Sequence, residues 1–351
     1  MTEVTHCAAD ATRNSFRRQH PELFFLDAGD LPSLAGYLRR RNCLPPNDEV
    51  LSAAPAGAGN MNCTLRVKTS HGSLVVKQAR PWVEKYPQIA APWDRALLEA
   101  EFYRTIQADH AIAADMPELI GFDADARVLI LEDFGTSLDF TSMYQNAGVS
   151  LAEVDALTDF LIHLHHRFSG AALAARFSSI EMRKLNHEHI FDFPLRPDNG
   201  LDLDKITPGL SALAGSLQSD GGYADRVAAL GVLYLGGGRT LIHGDYFPGS
   251  WLRTPSGVRI IDPEFCFFGL PEIELGVMIA HFHLARCPAA LAERVLERYA
   301  AKAALEPGLA LAFAGVEIMR RLIGVAQLPL PYGVGEKRSL LNLSHSLVMN
   351  R

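Results

Sequence analysis

Two kinds of apolar spacing run along this chain, and the change between them divides it. In residues 61–70 (MNCTLRVKTS) and 72–80 (GSLVVKQAR) apolar and polar positions broadly alternate, and His71-Gly72 separate the runs, which predicts a hairpin. Residues 91–110 instead place Leu97, Leu98, Phe102 and Ile106 at helical spacing. ARVLILEDFG (126–135) has the continuous apolar character of a buried strand and ends in Glu132-Asp133 and a glycine. A short helix is expected over 31–41, and residues 1–30, whose periodicity is weak, are expected to be partly loose. Beyond Gly135 helical spacing dominates: a long amphipathic helix over 151–168, mostly helix over 181–235 with breaks at 194–200 and 236–238, then helices over 271–285, 288–304 and 310–327. The only convincing strands of this second part lie in LIHGDYFPGSWLRTPSGVRIIDPEF, residues 241–265. The expected fold is α+β and two-lobed, β-rich over 1–134 and helical over 135–351.

Composition narrows the picture without redirecting it. The chain has 351 residues, more than one typical core, with 48% hydrophobic and 21% charged residues. A net charge of -7 argues against nucleic acid or an anionic membrane surface as the main partner. The five cysteines are odd in number and scattered, which suits reduced thiols and a cytoplasmic protein. No basic-then-apolar leader is expected at the N-terminus, and no apolar run approaches the ~18–20 residues of a membrane helix.

The chemistry concentrates in residues 241–265. One apolar run ends at Asp245, another at Asp262 and Glu264. Two short strands with a tight connection would bring these acids to neighbouring strand ends, where their repulsion grows as water leaves. A divalent cation is the usual compensation, and hard oxygen ligands at irregular spacing suit Mg²⁺ together with phosphate oxygens.

His243-Gly244-Asp245, then Ser250 five positions on, then Asp262-Pro263-Glu264, resembles the catalytic core of protein kinases and their small-molecule relatives. HGD points to the aminoglycoside phosphotransferase and choline kinase group; Ser250 and DPEF resemble the 5-methylthioribose kinases. The resemblance implies a protein-kinase-like fold, ATP and Mg²⁺ as cofactors, and phosphorylation of a small-molecule hydroxyl. Methylthioribose or a related sugar leads. An aminoglycoside, choline or ethanolamine, another small molecule, or a catalytically silent nucleotide binder are the alternatives. Asp245 becomes the catalytic acid–base group, and Asp262 and Glu264 the metal ligands. Lys77, late in a predicted strand, becomes the phosphate-binding lysine, oriented by Glu99 or Glu101, with the matching segment favouring Glu99. GAGNMN (57–62) resembles the family's GDGNxN loop and adds Gly57, Gly59 and Asn60 to the nucleotide site. Glu132 falls in the hinge that borders adenine, and Ser250 supports the nucleotide and metal. VEIMRRLIGVAQ (316–327) resembles the helix that carries the family's acceptor-binding Arg pair, here Arg320 and Arg321.

Those two arginines lie about 100° apart on an apolar helix, so at least one is expected to leave the apolar face or to pair with Glu317. The acceptor loop reads HGDYFPGS rather than HGDLHTGS, which makes Tyr246 a candidate acceptor contact. The resemblance spans roughly residues 57–327, and a homodimer is expected from it alone. HLHH (163–166) lacks an acid or cysteine at zinc spacing and reads as core or surface histidines. A protein kinase is disfavoured by the absence of an APE segment, and a hydrolase by the absence of a GxSxG elbow.

Overall fold

A computed structural model describes residues 2–57, 59, 61–178 and 180–350, with backbone alone for residues 2–10. The chain divides into two compact units, Met1–Thr136 and Ser137–Arg351.

The first unit is built on a five-stranded antiparallel sheet in the order Val50–Pro55, Cys63–Thr69, Ser73–Gln78, Val128–Glu132, Leu119–Asp123. The expected hairpin is its middle, closed by Thr69 N–H donating to Gly72 O at 2.8 Å. Alternation sends Leu65, Val67, Val76 and Ile130 to one face, where they pack against Leu34, Tyr37 and Leu38 of the helix Leu31–Arg40. Each fully buried aliphatic side chain there contributes about 1.5–3 kcal/mol.

Among the elements of this unit that were not expected, three are instructive. Residues Thr2–Gln19 form a helix where a loose segment was predicted. The strand Val50–Pro55 contains two alanines and a proline, poor strand formers that are tolerated at a sheet edge. The strand Leu119–Asp123 is interrupted by Gly121, where the register shifts and a Cβ would stand 2.5 Å from Cys43 Sγ. Glycine there answers to the close approach of the Cys43 side chain.

The second unit is mainly helical. The helix Leu151–Arg167 starts at a capping box in which Ser150 and Glu153 satisfy each other's backbone amides. The helix Pro307–Ile323 packs against both Pro271–Leu284 and Val334–Met349, the last of which the sequence reading missed. Residues 241–265 hold more than two strands. Thr240–Ile242 pairs with Phe267–Gly269, and Trp251–Thr254 forms its own hairpin with Gly257–Ile260, flanked by Leu138–Asp139. The strands that lead to Asp245 and Asp262 thus belong to different sheets, where two neighbouring strands with a tight connection had been expected. Among the described residues no helix is long and apolar enough to cross a membrane.

Candidate active site

In the first unit the pleat of Ser73–Gln78 puts Val76 in the core and Lys77 on the opposite face. There Lys77 Nζ donates to Glu99 at 2.9 Å, with both groups buried. Glu101 lies about 200° further round the helix Arg95–Ile106, so the pairing falls to Glu99. Gly57 has φ of 106°, and both Gly57 and Gly59 have open space where a Cβ would stand. Asn60 lies outside the described residues. The far end of this loop is held by Arg95, a fully buried arginine that donates from Nε to Asn62 Oδ1 at 3.0 Å and from Nη2 to Met61 O at 3.0 Å. Sequence reading missed Arg95, because an arginine at the start of a helix reads as solvated. Glu132 closes its strand, where its N–H donates to Glu118 O at 3.0 Å and its carboxylate accepts from Glu118 N–H at 3.2 Å. That amide is spent within the sheet, so an adenine contact at Glu132 through its N–H is ruled out.

In the second unit the strand Thr240–Ile242 runs into His243-Gly244-Asp245. Gly244 has φ of 88°, and a Cβ there would meet Phe265 O at 2.1 Å, so the turn admits only glycine. Its N–H donates to Glu274 Oε1 at 2.9 Å, Glu274 Oε2 pairs with His165 Nε2 at 2.8 Å, and His165 Nδ1 meets the Tyr299 hydroxyl at 3.0 Å. His165, from the HLHH run, thus buttresses the turn from the core. His243 Nε2 bonds Ile261 O at 2.9 Å, joining the turn to the segment that carries Asp262. Ser250 is buried, and its hydroxyl donates to Asp245 O at 2.9 Å, so it holds the Asp245 backbone in place.

Asp262 has φ of 69°, in the left-handed region that non-glycine residues rarely enter. Such strain costs about 1–3 kcal/mol and persists where the surroundings over-determine it. Glu264, two residues on, is buried. Among the described residues no three His, Cys, Asp or Glu side chains form a ready metal cage.

The Asp245 side chain keeps 25% of its surface exposed. Desolvation by the surrounding protein raises its carboxyl to about 6; Arg321 and Arg320 oppose the rise, while Glu317 and Asp262 add to it. Arg321 Nη2 stands 3.9 Å from Asp245 Oδ1, an ion pair longer than a hydrogen bond. The arginines take the pairing with Glu317 that was expected as the alternative to leaving the apolar face. Both bind Glu317, Arg320 from Nε and from Nη2 (2.9 Å) and Arg321 from Nε at 2.7 Å. Arg321 also lies over the Phe247 ring, 4.8 Å from its centroid. Burial opposes the Glu317 charge, yet Arg320, Arg321 and a bond from His281 hold its carboxyl well below the ordinary range.

Tyr246 requires a correction. It is 1% exposed, its ring is stacked on Phe160, and its hydroxyl donates to Leu157 O at 2.9 Å. Its side chain belongs to the core, and the half-buried neighbour Phe247 meets the arginine instead. Pairing of the arginines with Glu317 was among the expectations, but sequence reading missed His281 and Tyr144 as parts of the arrangement. The available signal was histidine in an otherwise apolar helix, which demands a partner when buried.

Residues 52–310 match the phosphotransferase enzyme family, APH. The chain belongs to that family. Among similar proteins, a methylthioribose kinase of Cronobacter sakazakii is 27% identical over 271 residues, 72% of this chain and 65% of that protein. Methylthioribose kinase 2 of Oryza sativa subsp. japonica is 23% identical over 73% of this chain and 62% of its own length. The chain thus spans just under two thirds of the length of these relatives. Of solved structures, a choline kinase from Cryptosporidium parvum Iowa II aligns at 12% identity and a TM-score of 0.56, covering 92% of this chain and 97% of that one. A spectinomycin phosphotransferase in complex with ADP and spectinomycin aligns at 11% identity and 0.53, covering 91% and 97%. These two share the fold, and the chain has the α+β, protein-kinase-like fold class expected from its sequence.

Proposed function

We propose that this phosphotransferase moves the terminal phosphoryl group of ATP to a hydroxyl of a small uncharged acceptor, a pentose of the methylthioribose type. One observation carries the reading. The carboxylate that closes the His243-Gly244-Asp245 turn faces Arg321 Nη2 at 3.9 Å, and Arg321 shares the Glu317 carboxylate with Arg320.

Asp245 is mostly ionised near neutral pH, so it orients the acceptor hydroxyl and takes its proton as the new bond forms. The phosphoryl transition state is loose, so orientation counts for more than basicity. Lys77, oriented by Glu99, contributes positive charge to the donor phosphates, and the loop with Gly57 and Gly59 offers amides to them. Arg320 and Arg321 stabilise charge on the phosphoryl group in flight. Asp262, with Glu264 beside it in sequence, would hold Mg²⁺, which takes one or two carboxylates and fills its remaining positions with phosphate oxygens and water. Bound there, the ion would neutralise charge on the donor phosphates.

The acids near the acceptor loop argue against a polycationic acceptor. Glu274 is tied to His165 and the Gly244 amide, and Glu272 accepts from Glu306 N–H at 3.0 Å; both are buried. Neither is placed to receive ammonium groups, and two arginines repel them. A homodimer and a cytoplasmic setting complete the reading; resemblance supports the first, and the free thiols of Cys43, Cys63, Cys266 and Cys287 support the second.

A coupled assay of ATP consumption over pentoses, amino alcohols and aminoglycosides tests this. Acceptor-dependent turnover is expected with methylthioribose or a related pentose and not with aminoglycosides. Nucleotide binding without turnover on any acceptor, or a preference for aminoglycosides, would overturn it.

A further inference from the structure

Behind Glu317 lies a chain of buried polar groups that the reaction as described does not use. Glu317 Oε1 meets His281 Nε2 at 3.1 Å, and His281 Nδ1 meets the Tyr144 hydroxyl at 2.6 Å. The three groups come from three elements: the helix Pro307–Ile323, the helix Pro271–Leu284 and the 3-10 turn Phe140–Gln145. All three residues are buried, His281 completely.

The proton order along this chain follows from its chemistry. Burial lowers His281 to about 4, although Glu317 favours its charged form, so the imidazole is neutral near pH 7. A neutral imidazole carries one N–H. Facing a carboxylate, which only accepts, that hydrogen sits on Nε2. Nδ1 then accepts from Tyr144, whose phenol burial keeps protonated. Each atom has one role: Tyr144 O–H donates to His281, and His281 N–H donates to Glu317. The carboxylate receives this bond besides those of Arg320 and Arg321, so its rotation about its own axis is fixed from outside the arginine pair.

Its orientation matters because Arg321 is mounted on it. Arg321 uses Nε for Glu317 and Nη1 for Ala326 O at 3.3 Å, which leaves Nη2 directed toward Asp245. If Glu317 turns, the guanidinium plane turns with it. We propose that Tyr144 and His281 are positioning residues, which lock the Glu317 carboxylate so that Arg321 meets the Asp245 carboxylate and the phosphoryl group passing to the acceptor. The inference rests on the phosphotransfer reading above and adds to it two residues that touch no reactant.

The test uses the full chain with ATP and the best acceptor of the panel. Misplacing a reactive group by about 1 Å can cost about a hundredfold in rate, so His281→Phe is expected to lose kcat on about that scale with KM for ATP unchanged. His281→Gln keeps an N–H for Glu317 and is expected to recover most of the loss. Tyr144→Phe, a mild change that retains the ring, is expected to lose several-fold, on the order of one hydrogen bond. The deciding measurement is the combination with Arg321→Lys, which removes the fork being aimed. In that background the further loss from His281→Phe is expected to shrink to a few-fold or less, because coupled positions are not additive. Equal losses from His281→Phe in both backgrounds, or no advantage of Gln over Phe at position 281, would overturn the inference. Asp245→Asn serves as the separate control. If it turns over like the wild type, the phosphotransfer reading itself fails. If it is inactive while Tyr144→Phe and His281→Phe match the wild type, the positioning chain alone fails.

Discussion

Both units bury a cation beside a carboxylate, and they do it in different ways. Lys77 Nζ donates to Glu99 at 2.9 Å. In the second unit Glu317 carries two guanidinium groups and an imidazole N–H at once. Counted over these groups, the second arrangement holds one positive charge in excess. An ammonium is a compact point charge with three rotatable donors, so Lys77 can keep Glu99 and still turn donors toward a polyphosphate. Guanidinium is a rigid fork that cannot lose its proton, so Arg320 and Arg321 keep their charge and their plane. A lysine pair suits a site that meets a pre-existing anion, and a fork cluster suits one where charge develops at a fixed place.

Asp245 feels that excess charge, and the largest expected effect falls on it. Asp245→Asn is expected to lower kcat by about two to four orders of magnitude, the span of general acid–base contributions, with nucleotide binding kept. The same substitution is expected to stabilise the fold. The folded protein holds the Asp245 proton at about 6 against 3.8 for the unreacted side chain, so it binds that proton more tightly than the unfolded chain does. Stability from this group is therefore full below pH 4 and falls as pH rises through 6, by at most about 3 kcal/mol. Asparagine imitates the protonated form, so Asp245→Asn should raise Tm at pH 8 and leave it unchanged at pH 4. In the wild type kcat/KM should fall as pH drops below about 6, as the carboxylate protonates. An equal Tm for both proteins across this range would mean that Asp245 is not destabilised by its surroundings.

The two carboxylates give a more direct contrast. Glu317→Gln removes the anion from beneath two arginines that cannot discharge, and breaking a buried pair in this way costs about 3–5 kcal/mol. Glu99→Gln leaves a buried lysine, which can shed its proton and so escape part of that cost. Denaturant unfolding should place Glu317→Gln clearly below Glu99→Gln. Equal stability losses would remove the distinction.

How far each region could be read from the sequence follows the same divide. Motifs made of consecutive residues were legible: the hairpin around Gly72, the strand that carries Lys77, the HGD turn and the Arg pair all lie within short windows where spacing dictates local structure. What depended on residues far apart was not. Arg95 is recognisable as a clamp only when Met61 and Asn62 are beside it, and His281 only when Tyr144 and Glu317 are. The pairing of Thr240–Ile242 with Phe267–Gly269 escaped notice because three residues carry too little periodicity to declare a partner. The edge strand Val50–Pro55 escaped because its residues are poor strand formers.

The smallest expected effect separates two neighbours that the sequence could not. Tyr246 and Phe247 follow Asp245 directly, and the turn sends one ring inward and leaves the other half-buried against Arg321. Tyr246→Phe keeps the stacking on Phe160 and removes one hydrogen bond, to Leu157 O, so it should cost about 1 kcal/mol in stability. Its KM for the acceptor should match the wild type, because the lost atom lies in the core. Phe247→Ala should behave in the reverse sense. It takes away the face on which the Arg321 guanidinium rests, a contact of about 0.5–2 kcal/mol, and loosens the one arm of the cluster that reaches Asp245. Kinetics should change more than Tm. If Tyr246→Phe raises the acceptor KM while Phe247→Ala leaves it alone, the acceptor meets the tyrosine after all, and the loop must open away from the packing that now buries it.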